Sequence, residues 1–401
     1  MSKKLTLCFF LFINQLLFSQ CPVGNVDLLT QSEVNTFIST YPTCEIIDGN
    51  LNIGSSVTDI SSLSFIKRIE GDLKILYSKV TSISNFSSLE YIGGDFEIKE
   101  NSNLTEIENI NQLQTIGGGL LIYANFGGLN TIKGFNNLVD IGGNLTINQI
   151  SPLQQILGFN NLKNVLGSFT IANNNILLGL PSFNKLVKVG KSLSFNGNDK
   201  LSEINGFMAL ESIGEMADLN QEGDFIIRNN NNLITITGFE NLKTIYRYLE
   251  ISNFNFQNSL TKIPDFNLLE TIGAGFSIEN TLITSLSGFN SLISIGSLVP
   301  PSGSFILGDN SNLTLIDGFN NLNQIFGAVQ IFTNNSLESI VGFNQLTTVG
   351  YFSLGNNPSL ISLEGLENLI DVKGPLYIDS NISLTDCSAI CNLLSGNGIT
   401  G

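Results

Sequence analysis

The 401-residue chain has no histidine and no tryptophan, only 9 prolines, and charged residues at only 13% of positions. Without histidine there is no serine–histidine or cysteine–histidine nucleophile system, no histidine general base, and almost no route to a catalytic zinc site. Cations are scarce too, with 18 Lys and Arg against 34 Asp and Glu; the net charge of −16 becomes −18 once a leader carrying Lys3 and Lys4 is removed. Nucleic acid is therefore not an expected partner, because neutralising phosphates takes clustered Lys and Arg. An anionic membrane surface is disfavoured for the same reason. No Walker loop is present, since the glycine pairs lie between strand-like segments and lack a following helix. The oxygen-rich stretch from Asp309 to Asn312 lacks the EF-hand pattern. Glu97 and Glu100 are the nearest thing to a glycosidase carboxylate pair, but a solvated strand face explains both. The chain is expected not to be an enzyme, with no catalytic, cofactor-binding or metal-binding residue and no cofactor.

What is present is apolar and small: 42% hydrophobic residues and 39 glycines, with asparagine abundant. Such a chain can bury a large core, so wholesale disorder is not expected. Residues 1–20 have the form of a secretory signal, with Lys3 and Lys4, an apolar run from Leu5 to Phe18, then Ser19 and Gln20 before Cys21. A lipid anchor on Cys21 is the competing reading, but a lipobox wants a small residue where Gln20 stands. No later segment approaches transmembrane length, so the mature chain is expected not to insert into a bilayer. Cys8 leaves with the signal, and the remaining cysteines lie two at each end: Cys21 and Cys44, Cys387 and Cys391. In an exported chain the economical pairing is a disulfide between Cys21 and Cys44, while the pairing of Cys387 and Cys391 stays open.

Self-similarity settles the architecture. The segment GGNLTINQISPLQQILGFNNLKNV, residues 142–165, slides onto GGDFEIKENSNLTEIENINQLQTI from Gly93, GKSLSFNGNDKLSEINGFMALESI from Gly190 and FGAVQIFTNNSLESIVGFNQLTTV from Phe326. Fourteen units result, spaced mostly by 23 to 25 residues, with longer gaps of 32, 27 and 30 after Gly214, Tyr246 and Gly296. Each unit carries three short apolar pairs, as in Leu145 with Ile147, Leu153 with Ile156, and Leu162 with Val165. The first pair has strand periodicity, and no unit contains ten residues of helical spacing. The spacing predicts coils of short strands stacked into a rod about 65 Å long at strand separation.

Phe135, Phe159, Phe183, Phe207, Phe239, Phe266, Phe289, Phe319 and Phe343 recur in one slot, usually within GFNNL, and Leu366 continues the series. An aromatic repeated once per coil is expected as an interior stack. Asn174, Asn230, Asn334 and Asn356, after the first strand, are expected to cap turn amides or take left-handed backbone. Thr30 to Glu33 forms a capping box ahead of Val34, Phe37 and Ile38, predicting a helix over the first end. Thr385 to Leu394 offers a second short helix. The expected divisions are residues 1–20 signal, 21–48 helical cap, 49–384 solenoid, and 385–401 a second cap that is left open as incomplete.

First strand, GFNNL and GG together resemble the receptor L-domain family over about residues 45–390, a leucine-rich-repeat-like pattern also found in longer bacterial surface arrays. The resemblance implies an all-β, right-handed β-helix and a recognition role, with no family ligand contact carried over. The outward residue of the first strand, followed through the units, runs Asn52, Lys74, Glu97, Leu121, Thr146, Thr170, Ser194, Ile226, Glu250, Ser277, Ile306, Gln330, Ser353 and Tyr377. Such variety argues against an ice-binding array, which wants one small residue repeated. Leu121, Ile226, Ile306 and Tyr377, with Tyr123 and Phe332 two positions further on, are the predicted ligand-binding residues. Long spacers at Glu215 to Gly223 and Leu298 to Gly303 enter at the corner before the first strand, where repeat proteins place recognition. The expectation is a monomeric, secreted or outer-surface adhesion protein binding an extracellular glycan or protein ligand. A structural spacer is the alternative, and a carbohydrate-active β-helix enzyme a more distant one.

Overall fold

The computed structural model describes residues 21–215, 222–254, 259–298, 301–395 and 398–399; the expected signal segment, 1–20, lies outside them. The chain is a parallel β-solenoid of about 14 turns, with 34% strand and 6% helix. Alternation of one inward and one outward residue in segments such as Leu145–Asn148 makes each coil's first strand. These strands form wall A, in which Leu145, Thr146, Ile147 and Asn148 pair one to one with Phe169, Thr170, Ile171 and Ala172 of the next coil. Two-residue strands such as Asp140–Ile141 and Asn164–Val165 form wall C. Walls A and C meet at a corner and belong to one 27-stranded sheet. The glycine pairs fall at this corner because coils touch there through backbone: a Cβ on Gly142 would lie 2.0 Å from the Gly117 carbonyl oxygen. Wall B is fragmentary, with pieces such as Thr131–Ile132 against Gln155–Ile156 and Ser285–Leu286 against Leu315–Ile316.

The fourteen outward residues stack in the expected order, each opposite the next from Asn52 to Tyr377. Wall A starts earlier than the sequence suggested. A strand β1 (Val26–Thr30), inside the segment expected as helical cap, sets Asp27 opposite Asn52. Helix α1 (Gln31–Thr40) follows it, with the Thr30–Glu33 capping box formed and Val34 and Phe37 buried. Main-chain N–H groups of Thr30 and Leu29 donate to the Glu33 carboxylate and hold its pKa below the ordinary value. The Cys21–Cys44 disulfide ties the start of the chain to the end of this cap.

The phenylalanine column is the axis of the core. Successive ring centroids lie 5.1 Å apart for Phe135 and Phe159, 5.2 Å for Phe183 and Phe207, 5.0 Å for Phe207 and Phe239, and 4.9 Å for Phe289 and Phe319. A second set of rings on the inner side of wall A meets the column edge-on, as Phe169 meets Phe183 at 4.9 Å. Each buried ring contributes about 1.5–3 kcal/mol, and each well-placed pair about 0.5–1.5 kcal/mol more. That burial offsets a local cost: Phe135, Phe159 and Phe319 hold φ at 67°, in the left-handed region that aromatic residues avoid. In two other coils Gly206 and Gly238 take the positive φ instead.

Beside the rings runs a buried asparagine ladder. Asn198 shows the rule: its N–H donates to Asn230 Oδ1 at 3.0 Å, its Nδ2 to the Ile171 carbonyl at 2.9 Å, and its Oδ1 accepts from the Asn174 N–H at 3.2 Å. Asn174, Asn230 and Asn334 belong to it as amide caps, but each caps the preceding coil rather than its own turn. Asn356 does not belong; it takes left-handed φ (56°), and Asn357 is the buried rung. The left-handed residue precedes the rung in the other coils too, as with Asn173 and Asn229. At Asn253 the ladder fails, and the buried Oδ1 has no partner. At the far end the expected continuous helix is broken up: Asp386 still pairs with Ser362 as wall B, and only then do a 3-10 turn (Ser388–Ile390) and helix α2 (Cys391–Ser395) form. Cys387 and Cys391 are free and exposed.

Candidate functional site

Outward positions on wall A are half-buried by the neighbours above and below, and this holds for Leu121, Tyr123, Ile226, Ile306 and Phe332. Tyr377, on the last strand of the wall, is 53% exposed and lies 5.8 Å from Tyr351. The six do not form one patch. Leu121 and Tyr123 share a strand, and Phe332 rests over Gly308 on the strand carrying Ile306. From Leu121 to Ile226 is four coil steps, however, and from Leu121 to Tyr377 ten, about 48 Å at strand spacing. Of the two spacers, residues 216–221 and 299–300 lie outside the described residues. Their flanks are placed. Glu215 pairs with Lys188, and Glu222 Oε2 accepts from Ser168 Oγ at 2.6 Å, two coils back.

The corner where wall A begins carries a second side-chain ladder, exposed and made of short polar residues. Asn50 Oδ1 accepts from the Asp72 N–H, Asp72 Oδ1 from Asp95, and Asp95 Oδ1 from Gly119, at 2.8, 2.8 and 2.6 Å. It resumes with Asn144 Oδ1 accepting from Ser168 at 2.8 Å and runs on through Ser192 to Asp224. Gly119 is the missing rung. It has no side chain to accept from Asn144, whose N–H has no partner among the described residues. One position earlier the corner is glycine for seven coils running, Gly24, Gly49, Gly71, Gly94, Gly118, Gly143 and Gly167, until Lys191 restores a side chain.

Missing side chains in both columns leave a groove of about 460 Å3, lined by Asp95, Glu97, Leu121, Asn144, Thr146 and Lys191 among others. That volume lies within the range of small-ligand sites, and one apolar side chain with convergent polar groups is a common composition for them. Lys74 lies 3.0 Å from Asp72 and 3.3 Å from Glu97, so its ammonium holds the rim carboxylates together. The Asp72 hydrogen bond is the main reason the Lys74 pKa is raised. Burial raises that of Asp72, but the Asp95 N–H and Lys74 outweigh it and the net direction is down. Glu100 turns away from Glu97 at a left-handed residue and pairs with Lys99. Among the described residues no cluster of three or more His, Cys, Asp or Glu could hold a metal ion, and no helix is long and apolar enough to cross a membrane. This groove is not among the sites expected from the sequence. The available signal was the third glycine of Gly117, Gly118 and Gly119, where other coils carry Asp, Asn or Ser.

A parallel β-solenoid whose outer wall carries a shallow groove belongs to the repeat proteins that present a surface. The Receptor L domain family model matches residues 43–126, which take in the first three coils and the start of the fourth, and the same coil continues beyond the match. No curated protein matches the chain. Receptor L domains are non-enzymatic ligand-binding domains, which suggests an extracellular ligand-binding role, and the Cys21–Cys44 disulfide is consistent with that setting.

Proposed function

We propose that the protein is a non-enzymatic recognition module, secreted or held on the outer cell surface, that binds a glycan or protein ligand at the wall A corner and the adjoining face. The observation that carries this is the groove at Gly119, where the polar corner ladder loses its side chain beside a column that is already glycine. Leu121 lines the groove and Tyr123 lies two residues beyond it on the same strand. Ile226, Ile306, Phe332 and Tyr377 are reached only by a ligand extended along the rod.

The test is an array of glycans and extracellular proteins probed with residues 21–401, followed by titration of any hit. Leu121→Arg with Thr146→Arg, both outward and outside the core, is expected to weaken the hit at least tenfold while leaving the circular dichroism spectrum unchanged. A hit bound equally by parent and double variant contradicts the placement of the site. No hit on either array leaves the structural-spacer reading in its place.

A further inference from the structure

Resting on that recognition reading, we propose that the groove at Gly119 is selective for a carboxylate-bearing sugar, with the acid directed to Lys191 and the ring hydroxyls to Asp95. The two ends of the groove differ in chemistry. At one end Asp95 and Glu97 offer acceptors; Asp95 Oδ1 is already taken by the Gly119 N–H and Glu97 Oε1 by Lys74, which leaves Asp95 Oδ2 and Glu97 Oε2 for hydroxyls. At the other end, two coils beyond Asn144, is the half-buried residue Lys191, whose side chain has no partner among the described residues; the Asn144 N–H, also unpartnered there, lies between the ends, facing Gly119.

In the corner ladder the N–H at the position of Asn144 meets a carboxylate or amide oxygen in neighbouring coils, as Asp95 N–H meets Asp72 and Ser168 N–H meets Asn144. A hydroxyl or ring oxygen from a ligand supplies the acceptor that Gly119 does not. Charge sets the orientation: an acid placed against Asp95 and Glu97 is repelled, and one placed at Lys191 is paired. Between the ends, Leu121 offers an apolar surface to the C–H face of a ring, and Thr146 a hydroxyl beside it.

A peptide fits less well. Wall A pairs without interruption through these coils, so no strand edge is free for an extended chain to join.

The experiment compares calorimetric titrations of residues 21–401 with an oligomer of a hexuronic acid and with the same oligomer after reduction of its carboxyl groups to primary alcohols. The acid form is expected to bind at least tenfold more tightly. Lys191→Met is expected to erase that preference and Lys191→Arg to keep most of it. Equal binding of the two oligomers, or a preference unchanged in Lys191→Met, overturns the assignment and leaves the recognition reading intact. Binding of an acidic peptide in preference to either oligomer overturns it as well. Failure of every glycan and protein probe counts against the recognition reading itself, and this inference falls with it.

Discussion

Two side-chain ladders climb the solenoid by the same rule, one inside and one at the corner, and their difference is instructive. In both, a short polar side chain accepts from a main-chain N–H of a neighbouring coil: within the core Asn198 accepts from Asn174 of the preceding coil, and at the corner Asp72 accepts from Asp95 of the following one. Inside, rungs such as Asn101, Asn125, Asn198 and Asn310 are fully buried, and a missing partner has no water to replace it. At the corner water can take over, so a rung is free to vary. The chain uses that freedom at Gly119, and the result is a groove. Stability is thus held in the interior column, and the exposed one has room for the proposed site.

Substitutions can break this contrast, beginning with the core ring stack. Phe207→Ala removes a ring packed at 5.2 and 5.0 Å between Phe183 and Phe239. It should cost about 3–5 kcal/mol in urea denaturation, since the rod cannot collapse around the cavity. Asn198→Ala leaves the Asn174 N–H without its acceptor in the core and removes a donor from the Ile171 carbonyl, and about 1–3 kcal/mol should be lost by the same assay. Thr30→Ala removes the cap that accepts from Glu33 N–H at the start of α1 and should cost about 1 kcal/mol.

The smallest effect belongs to the corner. Asp72→Asn should cost less than about 1 kcal/mol at neutral pH, because the ion pair with Lys74 is partly exposed. Its sign against pH is fixed: a carboxylate whose folded pKa is lowered contributes above its unfolded value, about 3.9, and loses that contribution as pH falls through the folded value. The stability gap between parent and Asp72→Asn should therefore narrow between pH 5 and pH 2. A corner substitution as costly as Asn198→Ala would erase the distinction between the ladders.

Much of the fold was legible because one period governs it. A repeated strand-turn unit fixes which residue follows which, so the phenylalanine stack and the outward column from Asn52 to Tyr377 could be traced before any coordinates. The inner ladder was only half legible: Asn356 and Asn357 are adjacent and alike in sequence, and backbone handedness decides which one turns inward. Strand β1 was hidden although its partner, Leu51–Ser56, begins one repeat length on, because helix α1 replaces the usual strand-turn sequence between them. Of the six apolar contact residues that the sequence predicts, only Leu121 lines the groove. The groove itself depends on what neighbouring coils lack, which a search for binding side chains does not see.

The in-register stacking of coils underlies both ladders and the groove, and disulfide trapping across wall A tests it most directly. With Cys387 and Cys391 replaced by serine, Thr146→Cys with Thr170→Cys should close on mild oxidation, because the two positions face each other on adjacent strands. Thr146→Cys with Ser194→Cys, two coils apart, should stay reduced. Closure of the second pair but not the first would contradict the account.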